Sequence, residues 1–185
     1  HGLGVKPAMI VAKSRGATGG WYVTHQSLSA EMQDNYMFWD TNSANTTNNN
    51  IWGGEPTTST FSVGSGLIGN TTHVAYVFAS KKGFSKFGTY KGNGNADGTF
   101  VYTGFRPAWF MAKRTNTAEN WSMYDAKRNV NGTTNTLPLV AEDTGAESGF
   151  TGKNMDILSN GLKMKTSNGE LNASGDTYIF MAFAE

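Results

Sequence analysis

The sequence predicts an all-β fold: a β-sandwich of the concanavalin-like jelly-roll kind, built from two related β-repeats. The first observation behind this is composition. Gly accounts for 23 of 185 residues and Asn is abundant, while charged residues make up only 16% and aromatics 12%. Low charge with many aromatics argues against disorder. Gly and Asn between short apolar runs mark strands joined by turns. The second observation is the absence of any stretch with a helical period. The third is that the chain repeats itself.

Pro7-Ala8 matches Pro107-Ala108, Ala12-Lys13 matches Ala112-Lys113, and Trp21 matches Trp121, all at a constant offset of 100. Near the ends of the halves, Phe78-Ala79 matches Phe183-Ala184 at an offset of 105. Each repeat therefore reads as an opening strand pair, a variable polar middle and a closing strand. Repeat 1 covers about residues 1–80 and repeat 2 about 104–185, with connecting strands in 81–103. Two copies of so long a unit suggest halves packed into a single domain over 1–185 rather than a solenoid. The opening strands fall at 8–13 and 108–113, followed by aromatic runs at 21–23 and 121–124. Residues 74–79 and 178–184 are apolar on both faces and read as central, buried strands. Residues 42–50 and 129–135 read as loops. Trp21, Trp121, Phe78 and Phe183 are expected to be mostly buried.

Charge and motif exclude several function classes. The net charge is +1 and no Lys/Arg run goes beyond Lys81-Lys82, so there is no electrostatic footprint for nucleic acid. There is no cysteine, hence neither disulfide nor thiolate metal site. No apolar stretch is long enough for membrane insertion as a helix. The first residue is His1 rather than Met, so the sequence reads as a processed chain or a fragment.

The run Gly2-Leu3-Gly4-Val5-Lys6-Pro7-Ala8-Met9-Ile10-Val11-Ala12-Lys13-Ser14-Arg15, followed by Gly20-Trp21-Tyr22-Val23, resembles a domain recurrent in tail-fibre and other virion proteins of marine bacteriophages. So do Lys82-Gly83-Phe84-Ser85-Lys86-Phe87-Gly88, the stretch from Gly92-Asn93-Gly94-Asn95-Ala96-Asp97-Gly98 through Ala108, and the closing run 174–185. The resemblance covers most of the chain. It implies a lectin-like sandwich on a phage particle, assembled in the host cytoplasm, with a homo-oligomer (a trimer) in the parent fibre. It also implies that a segment like 92–103 precedes the first repeat, so this chain reads as lacking its own first strand. The resemblance carries no enzymatic activity.

A search for chemistry finds no catalytic constellation. A glycosidase needs two carboxyl groups flanking one bond, yet no run places acids alternately on one strand face. Glu142, Asp143 and Glu147 fall in a polar stretch that reads as a solvated loop. An N-terminal His1 with His25 or His73 superficially resembles a copper-binding pair, but the surrounding sequence does not fit such enzymes; His25 is expected to be partly exposed. Nucleophile motifs are absent. Residues 92–98 lack the Lys-Ser/Thr of a phosphate loop and the closing Glu of a calcium loop, and read as a tight turn. Asp97 is the one weak calcium candidate. Asp125 and Arg128 read as a structural ion pair.

That leaves binding. Sugar C–H faces stack on aromatic rings, and amides serve the hydroxyls. Trp39 and Trp52 have no counterpart in repeat 2 and bracket the Asn/Thr-rich loop 41–50, with Tyr36 beside them and Asn48 within it. These four are the candidate ligand-binding residues. The expectation is a non-catalytic tail-fibre-type module binding host-surface glycan. The alternatives are a purely structural decoration or trimerisation domain, and a polysaccharide-degrading enzyme. A physical argument also favours association: a closing strand apolar on both faces needs cover on the second, either from the chain itself or from another subunit.

Overall fold

The computed structural model describes residues 1–67, 71–128, 137–146 and 152–185. The expected loop at 129–135, and Glu147, lie outside the described residues. In repeat 1 the strands are β1 (Met9–Ser14), β2 (Tyr22–His25), β3 (Asn35–Phe38), β4 (Thr46–Thr47) and β5 (His73–Phe78). The connector supplies β6 (Ser85–Lys91) and β7 (Phe100–Tyr102). Repeat 2 supplies β8 (Pro107–Arg114), β9 (Ser122–Asp125), β10 (Leu139–Val140), β11 (Met155–Leu158), β12 (Gly161–Met164) and β13 (Thr177–Ala184). A single helical turn, α1 (Gly169–Asn172), precedes β13. The protein is thus all-β, with antiparallel pairing throughout the described strands.

The strands form three sheets, ordered β4-β3-β2-β1-β5, β10-β9-β8-β13-β6 and β11-β12-β7. In each five-stranded sheet a closing strand returns beside the opening one (β5-β1-β2-β3 and β13-β8-β9-β10), which is the Greek-key order. The two copies agree residue by residue. Met9 faces His25 on β2 as Trp109 faces Asp125 on β9. Met9 also faces Phe78 on β5 as Trp109 faces Phe183 on β13. Both offsets read from the sequence, 100 and 105, are therefore the registers of the sheets.

The sheets stack. Met9, Val11, Val23 and Met37 of the first meet Phe87, Met111, Ile179 and Met181 of the second, with Trp121 between them. The far face of the second sheet, with Phe110, Tyr124, Tyr178 and Phe180, packs under Met155, Ile157, Leu162 and Met164 of the third. The far face of the first, Ile10 and Ala12, lies under Met32, Ile51, Trp52 and Leu67. Strands wet on neither face read as continuous apolar runs. The closing strand β13 is therefore covered on both faces within one chain, and its pattern gives no physical ground for a second subunit.

Three expectations need correction. Residues 74–79 do not form a central strand. β5 ends its sheet, its residues are half-buried or exposed, and Tyr76 is 49% exposed. Its counterpart β13 is central because β6, from the connector, pairs along its outer side. The loop at 42–50 contains the short strand β4, paired with β3. His25 is not partly exposed but fully buried, with its ring against Phe87 between the sheets.

Candidate functional site

The symmetry of the repeats continues beyond the part visible in sequence, and one break in it makes the site. On β3, Val23 faces Met37 and Tyr22 faces Phe38; on β10, Met123 faces Leu139 and Ser122 faces Val140. The next residues, Trp39 and Ala141, each donate a backbone N–H to the carbonyl of the repeated tryptophan, Trp21 or Trp121. The residues after those are both acids. Asp40 Oδ1 accepts the Trp21 N–H at 2.9 Å, and the Glu142 carboxylate accepts the Trp121 N–H at 3.2 Å.

Trp39 lies against Trp121, ring centroids 6.3 Å apart, and Trp121 Nε1 donates to the Phe38 carbonyl at 2.8 Å. The symmetric place, over Trp21, belongs to Ala141. A methyl group stands where repeat 1 has an indole. An open groove of about 320 Å³ results, lined by Trp21, Trp39, Asp40, Met123 and Ala141. Trp121 is 1% exposed, whereas Trp21 is only half-buried and stacks on the exposed Tyr76 at 6.2 Å. Phe78 and Phe183 are half-buried at the sheet ends.

Of the four residues expected to bind ligand, Trp39 alone lines this groove. Trp52 is a correction: it is 2% exposed and packs with Met32, Ile51 and Leu67 over Ile10. The chain that follows the polar loop folds back because the outer face of β1 needs an apolar cover. Tyr36 is half-buried on that same outer face, between Tyr22 and Phe38 at 5.5 and 5.3 Å, so it looks away from Trp39. Asn48 is a turn residue whose Oδ1 accepts the Asn50 N–H at 3.0 Å. The fold thus gathers Tyr36 and Trp52 on the outer face of the first sheet, apart from Trp39 in the groove. Sequence reasoning missed Asp40, Met123 and Ala141; the faint signal was an acid closing each third strand.

The Asp97 loop is stitched by side chains. Asn93 Oδ1 accepts from Asn95 N and Asn172 Nδ2, Asn95 Oδ1 accepts from Asp97 N, and Asp97 pairs with Lys163 at 2.9 Å. The Lys163 ammonium lowers the Asp97 pKa. The Asp97 side chain is itself exposed, with Oδ1 engaged by the Lys163 ammonium. Among the described residues no three His, Asp or Glu side chains cluster to hold a metal. His1 stacks on Phe61 and donates its amino group to the Ser59 carbonyl, away from the buried His25. Asp125 and Arg128 do form an ion pair, Nε to Oδ2 at 2.5 Å.

Two buried cations or would-be cations have structural roles. Lys113 is fully buried, and burial lowers its pKa to about 8. Its ammonium donates to the Arg114 carbonyl at 2.9 Å, as Lys13 in repeat 1 donates to that of Gly19. Lys113 also reaches the Thr117 carbonyl at 3.5 Å, so both lysines tether the loop joining the first two strands of their repeat. In His25, Nδ1 accepts the Ser27 N–H at 3.1 Å, as Asp125 Oδ1 accepts that of Lys127. Burial lowers the His25 pKa from 6.5 to about 4, the Phe180 backbone offsetting only part of this. Between those pH values the unfolded chain binds a proton that the folded chain refuses. Stability should therefore fall as pH drops through that window, by about 3 kcal/mol at pH 4, and be independent of His25 above it. Urea midpoints against pH check this: His25→Asn, which keeps an acceptor for Ser27, should flatten that part of the profile.

Fold and groove together define a two-repeat, all-β domain with an aromatic groove where its halves meet. The chain belongs to the family described as Domain of unknown function (DUF7483), whose model matches residues 1–185. No curated protein and no solved structure matches it.

Proposed function

We propose that this domain is a non-catalytic glycan-binding module of the tail-fibre type on a phage virion, recognising host-surface sugar in the groove between its repeats. The observation that carries this reading is the pair Trp21 and Trp39 facing an open groove with the Asp40 carboxylate at its rim. Indole faces take the C–H side of a sugar ring, and a carboxylate accepts hydroxyl hydrogens in charge-assisted bonds. The volume, about 320 Å³, suits a small ligand. The virion location, the host glycan and the jelly-roll description of the sandwich rest on the sequence resemblance.

The test is a glycan array, with and without calcium, followed by titration of the Ala141→Trp variant. That substitution restores the indole that symmetry places over Trp21 and fills the groove. Binding should weaken by tenfold or more, about 1.4 kcal/mol, with an unchanged or higher melting temperature. A silent array, or full binding by a folded Ala141→Trp protein, refutes the proposal.

One observation favours the structural alternative, a subunit contact within a fibre. A groove of about 440 Å³ at the other end of the sandwich is lined by Leu3, Val5, Phe84 and Phe183, and Phe84 is 57% exposed. Light scattering decides: concentration-dependent trimers that Phe84→Ser dissolves support it, and a monomer at all concentrations removes it.

A further inference from the structure

We infer that the groove accepts uncharged sugar rings and rejects sulfated or carboxylated ones, with Asp40 as the residue that decides. This rests on the glycan-binding reading above. Among the described residues that line the groove, Asp40 alone carries a charge; Trp21, Trp39, Met123 and Ala141 offer rings and apolar atoms. Asp40 is held in place. Its Oδ1 accepts the Trp21 N–H at 2.9 Å, and Gly20 makes room for that arrangement, since a Cβ there would lie 2.4 Å from the Phe38 ring and 3.1 Å from Oδ1. Its Oδ2 has no protein donor among the described residues and stays free for a sugar hydroxyl.

The opposite wall repeats the pattern, because Ala141 is followed by Glu142, whose carboxylate holds the Trp121 N–H. On that wall the Lys113 ammonium attracts Glu142, so the acid that faces the groove is Asp40. An anionic substituent brought over the two indoles would lose water and meet a fixed like charge. Asp40 is exposed, so this repulsion acts at short range and is screened by salt. A hydroxyl at the same point finds an acceptor instead.

Matched oligosaccharide pairs test this by tryptophan fluorescence titration: agarose against carrageenan hexasaccharides, and laminarin against alginate hexasaccharides. The wild-type protein should bind the neutral member of a pair at least tenfold more tightly, about 1.4 kcal/mol. Asp40→Asn keeps an oxygen for the Trp21 N–H and removes the charge, so the ratio should shrink to about threefold or less, about 0.7 kcal/mol. Raising the ionic strength should narrow the wild-type ratio as well. Equal or tighter binding of the anionic member, or a ratio unmoved in a folded Asp40→Asn protein, overturns the inference and leaves the glycan reading standing. Silence towards every sugar overturns both.

Discussion

Replacing Trp121 with Ala should destabilise the protein by about 3–5 kcal/mol, among the largest effects of any single truncation in this chain. The side chain is 1% exposed and sits in the cluster that joins the first and second sheets. Its ring meets Trp39 from the opposite repeat, and its Nε1 donates to the Phe38 carbonyl across the interface. Truncation removes that bond as well as the ring, and takes the Nε1 donor from a partly buried carbonyl. Trp121→Phe should fall between Ala and wild type, because it keeps most of the packing and loses the hydrogen bond. The equivalent Trp21→Ala should cost clearly less, since Trp21 already borders an open groove. Urea midpoints for the three variants check the order. A wild-type midpoint for Trp121→Ala, or equal costs at Trp21 and Trp121, would contradict the account of the interface.

The contrast between these two tryptophans marks how far the sequence could be read. The opening hairpins have equal length in both repeats, so Pro-Ala, Ala-Lys and Trp align without a gap, and the offset of 100 is also the sheet register. The closing strands share Phe-Ala, and their offset of 105 is likewise a register. The third strands share only a terminal acid, Asp40 or Glu142, too little for an alignment without the backbone pairing. The groove was hidden for that reason. A missing indole at Ala141 shows only against the symmetry that sets Trp39 in the matching place. Trp52 misled in another way. An aromatic in a polar loop suggests an exposed platform, yet Ile10 and Ala12 make β1 apolar on both faces, and some segment had to cover the outer one. The segments before β3 and after the polar loop do so through Met32, Ile51, Trp52 and Leu67. The role of β6 was not legible either, because nothing local tells a connector strand that it will flank β13 rather than a partner within its own stretch.

Glu170→Met should cost about 3–5 kcal/mol, and adding Lys153→Met should recover part of that loss. Glu170 is 5% exposed and Lys153 7% exposed, and their charged groups pair where α1 meets the end of the second sheet. The carboxylate also accepts from Ser122 Oγ on β9 and from Asn120 Nδ2 at 3.1 Å. The turn itself is fixed for this purpose: Asn168 Oδ1 caps the Glu170 N–H at 2.9 Å, and Thr166 Oγ1 holds the Asn168 N–H at 2.9 Å. One acid thus gathers β9, α1 and the segment leading into β11. Removing it takes one acceptor from the Lys153 ammonium, the Ser122 hydroxyl and the Asn120 amide at once, and breaking a buried ion pair from one side is the largest of these costs. Removing the lysine too takes that charge away, so the double variant should be more stable than Glu170→Met alone, while Ser122 and Asn120 still lack their acceptor. Additive losses would show that the two groups act independently, against the contact between them. The measurement is a double-mutant cycle in urea, with far-ultraviolet circular dichroism to establish that each variant keeps its sheets.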